Sequence, residues 1–530
     1  MEIKWRVNDR SGSQNFIPGK NILTVPVAKG EVFTRVEAEI LIPPSPKMFF
    51  NGYQSWTHCP EYKASDLIHG LERMPKLLFK ILALDHFSDY HFVDYPYKKG
   101  HFHGFSYCYF RDGDHYKLIS SLDEHPGYTI FRYDAESCLL KLERDCIGVA
   151  AKEEEFHAFD LFYTEGDENE VFDRWFNAMD LHNSPPKIKG YTSWYNRYQR
   201  INEKNILKDL EGAQKICSNG DLFQIDDGWE TAVGDWETID PKKFPNGLRS
   251  VVKKIREAGL TAGLWLAPFV CERKSVLFRK HPDWLLRYKK GYWRNGPNWG
   301  GSYSLDIDHP EVQTFLREVF DRVFNDWNFD LVKLDFLYAA APLATGEHGD
   351  KGEGPYTESR AARMIRAMEF LRECCGNKLI LACGVPLMPA FGLVDYCRIG
   401  SDMGLNWDDH PFMRRLHRER VSTKQSIDNT VYRRHLNGKA FGNDPDVFFL
   451  RNNNVSLSDA EKEYLSFANA FLGSMWLTSD NLYTYDNQKM EKYLLLSDLR
   501  NVTDFNIDPD DLSLSYELNK EKHHIRYPKK

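Results

Sequence analysis

The sequence predicts a multidomain α and β protein: an N-terminal β-sandwich, a central (β/α)8 barrel of the TIM type and a small C-terminal β-element. Three observations carry this reading. Residues 1–165 alternate apolar and polar side chains with the period of two that half-buried strands require. Beyond residue 190, eight apolar runs follow one another, most of them separated by segments of helical spacing, within about 300 residues, the size of a barrel. Between the two regions Ser184-Pro185-Pro186 stops the chain from continuing as a helix. The expected boundaries are 1–183 for the sandwich with its linking helix, 184–485 for the barrel and 486–530 for the C-terminal element.

In the first region Val32, Val36, Ala38 and Ile40 share one strand face. Further short strands are expected at 114–121, 127–133, 138–144 and 155–163, separated by Asp, Gly and Pro turn signals. Such spacing favours a sandwich. One stretch departs from it. Phe49-Phe50-Asn51-Gly52-Tyr53-Gln54-Ser55-Trp56 sets an Asn-Gly turn among large aromatics. It reads either as a hairpin with packing aromatics or as a loop that carries Trp56 into a neighbouring cleft. A helix is expected from about Glu168 to Leu181, where Val171, Phe172, Trp175, Phe176 and Met179 form one apolar stripe.

The eight barrel strands are expected at 190–195, 221–227, 261–268, 331–335, 379–384, 395–399, 447–450 and 474–477, with helices at 248–258, 310–326, 357–374 and 458–471. Strands that alternate with helices imply a parallel sheet with right-handed crossovers. The loop from Pro342 to Pro355 carries four glycines with Glu347, Asp350 and Glu353, and reads as an exposed loop or as a lid.

Bulk composition narrows the function. A net charge of −8 argues against nucleic acid or an anionic membrane surface as the main partner. The N-terminal residues lack an apolar signal core, no run of 18 apolar residues occurs, and ten cysteines show no CxxC pairing. A soluble, cytoplasmic protein with reduced thiols is expected. Neither HExxH nor a phosphate-binding glycine loop is present, and no cofactor or metal is expected.

Chemistry concentrates where the barrel strands end. Several of these strands end in polar or aromatic groups: Trp194, Asp226 with Asp227, Trp265, Asp335, Cys383, Asp402 and Asp446. In a barrel, those ends meet on one face. A single Asp there reads as a helix cap, but a ring of such groups reads as a site. Asp335 and Asp402 on different strands form the paired carboxylates that glycoside hydrolysis uses. Lys333 lies two residues before Asp335, so both point inward, and its ammonium would favour an ionised nucleophile there. Asp402 follows Gly400, and the charge of Asp335 would raise its pKa as a general acid needs. Gly228 would let both Asp226 and Asp227 face one ligand despite strand alternation.

Taken together, Asn51-Gly52-Tyr53-Gln54-Ser55-Trp56, Gln224-Ile225-Asp226-Asp227-Gly228-Trp229, Gly263-Leu264-Trp265-Leu266-Ala267-Pro268, Lys333-Leu334-Asp335, Arg398-Ile399-Gly400-Ser401-Asp402 and Asn443-Asp444-Pro445-Asp446 resemble the retaining α-galactosidases of glycoside hydrolase family 36, in particular its compact members. The resemblance covers nearly the whole chain. It implies Asp335 as nucleophile and Asp402 as general acid/base, with Asp226 and Asp227 on the 4- and 6-hydroxyls. It further implies Lys333 and Arg398 on ring hydroxyls, Trp194, Trp265 and Trp56 as walls, and Cys383-Gly384 beside the 2-hydroxyl. The chain departs from commoner members at Cys383-Gly384-Val385-Pro386, which lacks their Ser- and Gly-rich run, and at Tyr53, where a Trp is frequent. The expected function is release of terminal α-linked galactose from oligosaccharides through a covalent glycosyl-enzyme. The alternatives are an α-N-acetylgalactosaminidase or transglycosylase on the same scaffold, or a non-catalytic carbohydrate-binding protein.

Overall fold

The computed structural model describes residues 1–528 except 72–73, 76, 78–80, 82, 85, 289–290 and 344–354. Most of the acidic, glycine-rich loop and the Lys529-Lys530 tail therefore lie outside the described residues. The first 166 residues form two six-stranded antiparallel sheets. One runs Arg10–Asn15, Glu2–Val7, Val36–Leu41, Leu139–Arg144, Thr129–Asp134 and His101–Phe105. The other runs Gly19–Pro26, Glu155–Gly166, His115–Ser121, Tyr107–Asp112, Lys47–Phe50 and Glu61–Tyr62. Alternate residues such as Leu23, Val25, Leu140 and Leu142 close the core between them. The expected strand at 32–40 is ordered as a strand only over Val36–Leu41.

The helix Glu168–Ala178 is capped by Asp167, whose side chain accepts the Glu170 amide. Its apolar stripe fastens the sandwich to the barrel. Trp175 packs on Tyr107 at 4.9 Å, and Phe172 stacks on His435 at 3.7 Å.

Eight barrel strands then follow in order: Ile188–Thr192, Leu222–Ile225, Thr261–Leu266, Leu331–Leu334, Leu379–Ala382, Tyr396–Arg398, a seventh in two pieces, and Met475–Thr478. Every pairing is parallel. The seventh strand is broken at Pro445-Asp446. Its first piece, Gly442–Asp444, pairs with the sixth strand, and its second, Val447–Phe448, pairs with the eighth. The break lets one strand serve both neighbours and closes the ring. Sequence patterning points only to the second piece, because a proline within an apolar run normally ends a strand.

One expectation needs correction, and one element was not anticipated. Residues 486–530 are not all β: Asn487–Leu499 is a helix, and only Phe505–Ile507, Leu514–Leu518 and Glu521–Ile525 form an antiparallel sheet. Leu494 and Leu495 face solvent, which blurs the apolar stripe that would have marked this helix. Within it, Tyr493 packs on Trp476 of the eighth strand at 5.0 Å, the place of a barrel's last helix. A helix over Thr423–Tyr432 also escaped periodicity, since every one of its residues except Lys424 is buried, polar ones included.

Candidate active site

The carboxyl ends of the barrel strands converge on a cavity of about 200 Å³. That is smaller than the roughly 300–1,000 Å³ of drug-sized sites, so it suits one small polar unit rather than an extended chain. Asp226, Asp227, Lys333, Asp335 and Asp402 line it, with Trp56, Trp194 and Trp265.

Asp335 extends the fourth strand by one residue, its amide bonded to the Leu266 carbonyl at 2.9 Å. Its carboxylate accepts Trp265 Nε1 at 3.1 Å and the Phe336 amide at 2.9 Å. Phe336 turns the chain away with a φ of 55°. Lys333 points inward beside it, but its ion pair is with Asp226 at 3.0 Å, not with Asp335. Burial opposes the Lys333 ammonium, yet the carboxylates of Asp226 and Asp335 outweigh it and hold its pKa above the usual lysine range.

Asp402 sits past the sixth strand with 40% of its side chain exposed, open enough to meet both a leaving group and water. Its nearest partner is Arg398 Nη1 at 3.4 Å. Its pKa is pushed up to about 6, first by its enclosure among pocket walls and then by the charge of Asp446. Asp335 contributes least of the named charges, so the expected cause of the shift is corrected although its direction holds. Arg398 itself does not face the cavity; it is clamped by Asp444 at 2.9 Å and Asp446 at 3.0 Å.

Asp226 and Asp227 both reach the cavity because Gly228 follows with a φ of 114°. A Cβ there would stand 2.8 Å from Gln199 Cα, so glycine is required on two counts. Asp226 Oδ2 accepts Lys333 Nζ and Gln224 Nε2, at 3.0 and 2.9 Å, and its Oδ1 accepts the Asp227 amide at 2.9 Å. Asp227 differs. Its Oδ2 accepts two neutral donors, Gln199 Nε2 at 2.8 Å and Trp299 Nε1 at 3.0 Å. Burial raises its pKa.

The sandwich completes the cavity. Ser55 Oγ accepts the Gly384 amide at 3.0 Å, and the Ser55 amide donates to the Val385 carbonyl at 2.8 Å. Arg433 fixes the same loop through the Ser55 carbonyl at 2.6 Å and Asn51 Oδ1 at 3.0 Å. Trp56 is thus carried onto the barrel, its Nε1 at 3.3 Å from Cys383 Sγ. Gly384, with a φ of 59°, lies under that ring, where a Cβ would come within 2.8 Å of it. Of the two readings of this segment, the one that carries Trp56 into the cleft is the one the fold adopts.

A model of the melibiase family matches residues 185–354. An α-galactosidase of Escherichia coli is 29% identical over 188 residues, which is 34% of this chain and 25% of that protein. The match thus spans about a quarter of that relative's length. An α-galactosidase from Thermus thermophilus, solved with p-nitrophenyl α-D-galactopyranoside, superposes with a TM-score of 0.75 at 26% identity, covering 99% of both chains. Residues 185–354 are thus similar to the melibiase family, and the chain along its whole length is similar to this α-galactosidase. The family 36 α-galactosidase AgaA from Geobacillus stearothermophilus shares the fold at a TM-score of 0.58 and 14% identity, over 91% of this chain and 68% of that one.

In this melibiase-like barrel, eight of the sequence-predicted site residues line one cavity, while Arg398, Cys383 and Gly384 stand immediately behind it. Several lining residues escaped sequence reasoning. Trp299 belongs to a long insertion after the third strand that builds its own small sheet, Val270–Glu272, Arg294–Gly296 and Ser302–Ser304. The Gly300-Gly301 pair after it was the available signal of a tight loop at a Trp. Glu419 adds a fifth acid, pushed up to about 8 by burial and by the charge of Asp89, with Thr57 Oγ1 donating to it at 2.9 Å. It lies in an irregular segment, where no periodicity could mark it.

Proposed function

We propose that the chain is a retaining α-galactosidase in which Asp335 is the nucleophile and Asp402 the general acid/base. The observation that carries this reading is the contrast between two carboxyls in one cavity. Asp335 receives two hydrogen bonds from neutral N–H donors, which favour an oxygen nucleophile held in a fixed orientation. Asp402, enclosed and next to the charge of Asp446, retains its proton to higher pH. In the first step Asp335 attacks the anomeric carbon as Asp402 protonates the leaving oxygen. In the second, Asp402 takes a proton from water, which releases the sugar with its configuration retained. Turnover of a nitrophenyl α-galactoside tests the reading, and absence of turnover across a panel of α-galactosides overturns it.

Substrates of the raffinose and stachyose kind suit a cavity for one terminal sugar with an open mouth; a second Thermus thermophilus α-galactosidase structure contains stachyose. A cytoplasmic setting is supported by ten free thiols. Among the described residues, no helix is long and apolar enough to cross a membrane.

The pKa of Asp402 gives a pH signature. Because the protonated form starts the reaction, kcat/KM on a raffinose-type substrate should fall as pH rises through about 6. In Asp402→Asn that alkaline limb should vanish from the residual rate.

Asp226 and Asp227 are proposed to accept the 4- and 6-hydroxyls, which makes the axial 4-hydroxyl of galactose the preferred one. The two should respond differently to substitution. Asp227→Asn keeps a buried group with neutral partners, so kcat/KM on α-galactosides should fall roughly 10- to 100-fold with little change in Tm. Asp226→Asn strands the buried Lys333 ammonium and should also cost on the order of 3 kcal/mol of stability. Both should narrow the preference for galactosides over glucosides. Kinetics on matched nitrophenyl glycosides, with melting curves, separate the two effects; an Asp227→Asn protein that melts low yet keeps its sugar preference would make Asp227 scaffold.

A further inference from the structure

We infer that Asp446, at the break in the seventh strand, is a positioning residue that both places Asp402 and sets its strength as an acid. This rests on the reading of Asp402 as general acid/base. Two separate routes link the residues. Asp446 Oδ2 accepts the amide of Met403, the residue after Asp402, at 2.8 Å. Asp446 Oδ1 lies 3.0 Å from Arg398 Nη2, and Arg398 Nη1 donates to Asp402 Oδ1 at 3.4 Å. The Tyr195 hydroxyl also donates to Asp446 Oδ2 and accepts the Met403 amide at 2.9 Å.

The backbone is specialised to make this arrangement. Asp446 has a φ of 75°, in the left-handed region that non-glycine residues rarely enter. It is fully buried behind the cavity wall, and its strand is interrupted where it stands. Strained residues held by their surroundings cluster at functional sites, and here the strain turns a carboxylate toward the acid.

Charge supplies the second half of the argument. Burial raises the pKa of both carboxyls, and Asp444 adds to that at Asp446, but Asp446 has an arginine, an amide and a hydroxyl to stabilise its ionised form, whereas Asp402 has a single long contact to Arg398. Of two neighbouring carboxyls that cannot both ionise freely, the better-supported one keeps the charge and the other keeps the proton. The other charged and titratable groups around Asp402 are Arg398 on its own strand, Lys333 and Asp335 from the fourth, Cys383 from the fifth, and Tyr195 and Tyr198 after the first. Of the charges acting on Asp402, Asp446 raises its pKa most.

The test is the pH profile of kcat/KM on a raffinose-type oligosaccharide for the full chain and for Asp446→Asn, with Tm measured on both. With the isosteric amide, the alkaline limb should move down by about one pH unit, an additional tenfold loss at pH 7. The loss should shrink on a dinitrophenyl α-galactoside, whose leaving group needs little protonation. An Asp446→Asn protein that melts like the parent and keeps its limb in place overturns the inference. If that variant does not fold, Tyr195→Phe decides: removing a donor from Asp446 weakens its hold on the charge, so Asp402 should ionise more readily and the limb should move down, and an unmoved or raised limb overturns the inference. A parent chain that turns over no α-galactoside overturns the reading beneath it instead.

Discussion

Asp335→Gly should lose turnover of every α-galactoside by on the order of 10⁴-fold or more, and external azide should restore part of the rate. The loss follows from the position of the carboxylate. It is fixed by Trp265 Nε1 at 3.1 Å and by the Phe336 amide at 2.9 Å, and no other acid has both this orientation and this place on the fourth strand. Removing the side chain leaves a small space on the face from which the nucleophile attacks, and azide fits that space. Attack from there inverts the anomeric centre, so the rescued product should be the β-galactosyl azide. Lys333 stays paired with Asp226 in the variant, so the fold should survive and Tm should move little. Loss without rescue, or a rescued product with the α-configuration, would remove Asp335 from the nucleophile's role.

Asp402→Ala should behave in the opposite way with respect to leaving group. A general acid typically contributes roughly 10²–10⁴-fold, and only where the departing oxygen needs a proton. Raffinose-type substrates should therefore lose that full factor, while a dinitrophenyl α-galactoside should react in its first step almost as in the parent. With water left unactivated in the second step, the galactosyl-enzyme should accumulate, giving a burst of the nitrophenol followed by a slow steady rate. Azide should speed the second step by entering from the side Asp402 vacates, which yields the α-galactosyl azide. The opposite configurations of the two azide products separate the roles of the two acids. An equal loss for all leaving groups, with no burst, would contradict the assignment.

Much of the site was legible because barrel topology converts sequence position into spatial position. A polar residue directly after an apolar strand must lie at the carboxyl mouth, whichever strand it follows. That placed Asp226, Asp227, Trp265, Lys333, Asp335 and Asp402 without any coordinates. Pairing within the mouth was not legible. Lys333 is two residues from Asp335 in sequence, yet its ammonium reaches across to Asp226 on the second strand. Strand alternation says which side a side chain points to, and nothing about which neighbour lies within 3 Å across a ring. The role of Asp446 was hidden for a related reason, since a residue in a broken strand has no period to follow. Trp299 and Glu419 come from irregular segments whose course depends on the barrel already being folded. The helices Thr423–Tyr432 and Asn487–Leu499 were missed because one is buried at every residue but Lys424 and the other exposes two leucines.

The measurement that bears most directly on the central claim is the anomeric configuration of the first sugar released, followed by proton NMR before mutarotation. A nucleophile at Asp335 and an acid/base at Asp402 require two inversions, so α-galactose should appear first and convert to the equilibrium mixture later. β-Galactose as the first product would mean that water attacks directly between the two carboxylates, and it would contradict the covalent role given to Asp335.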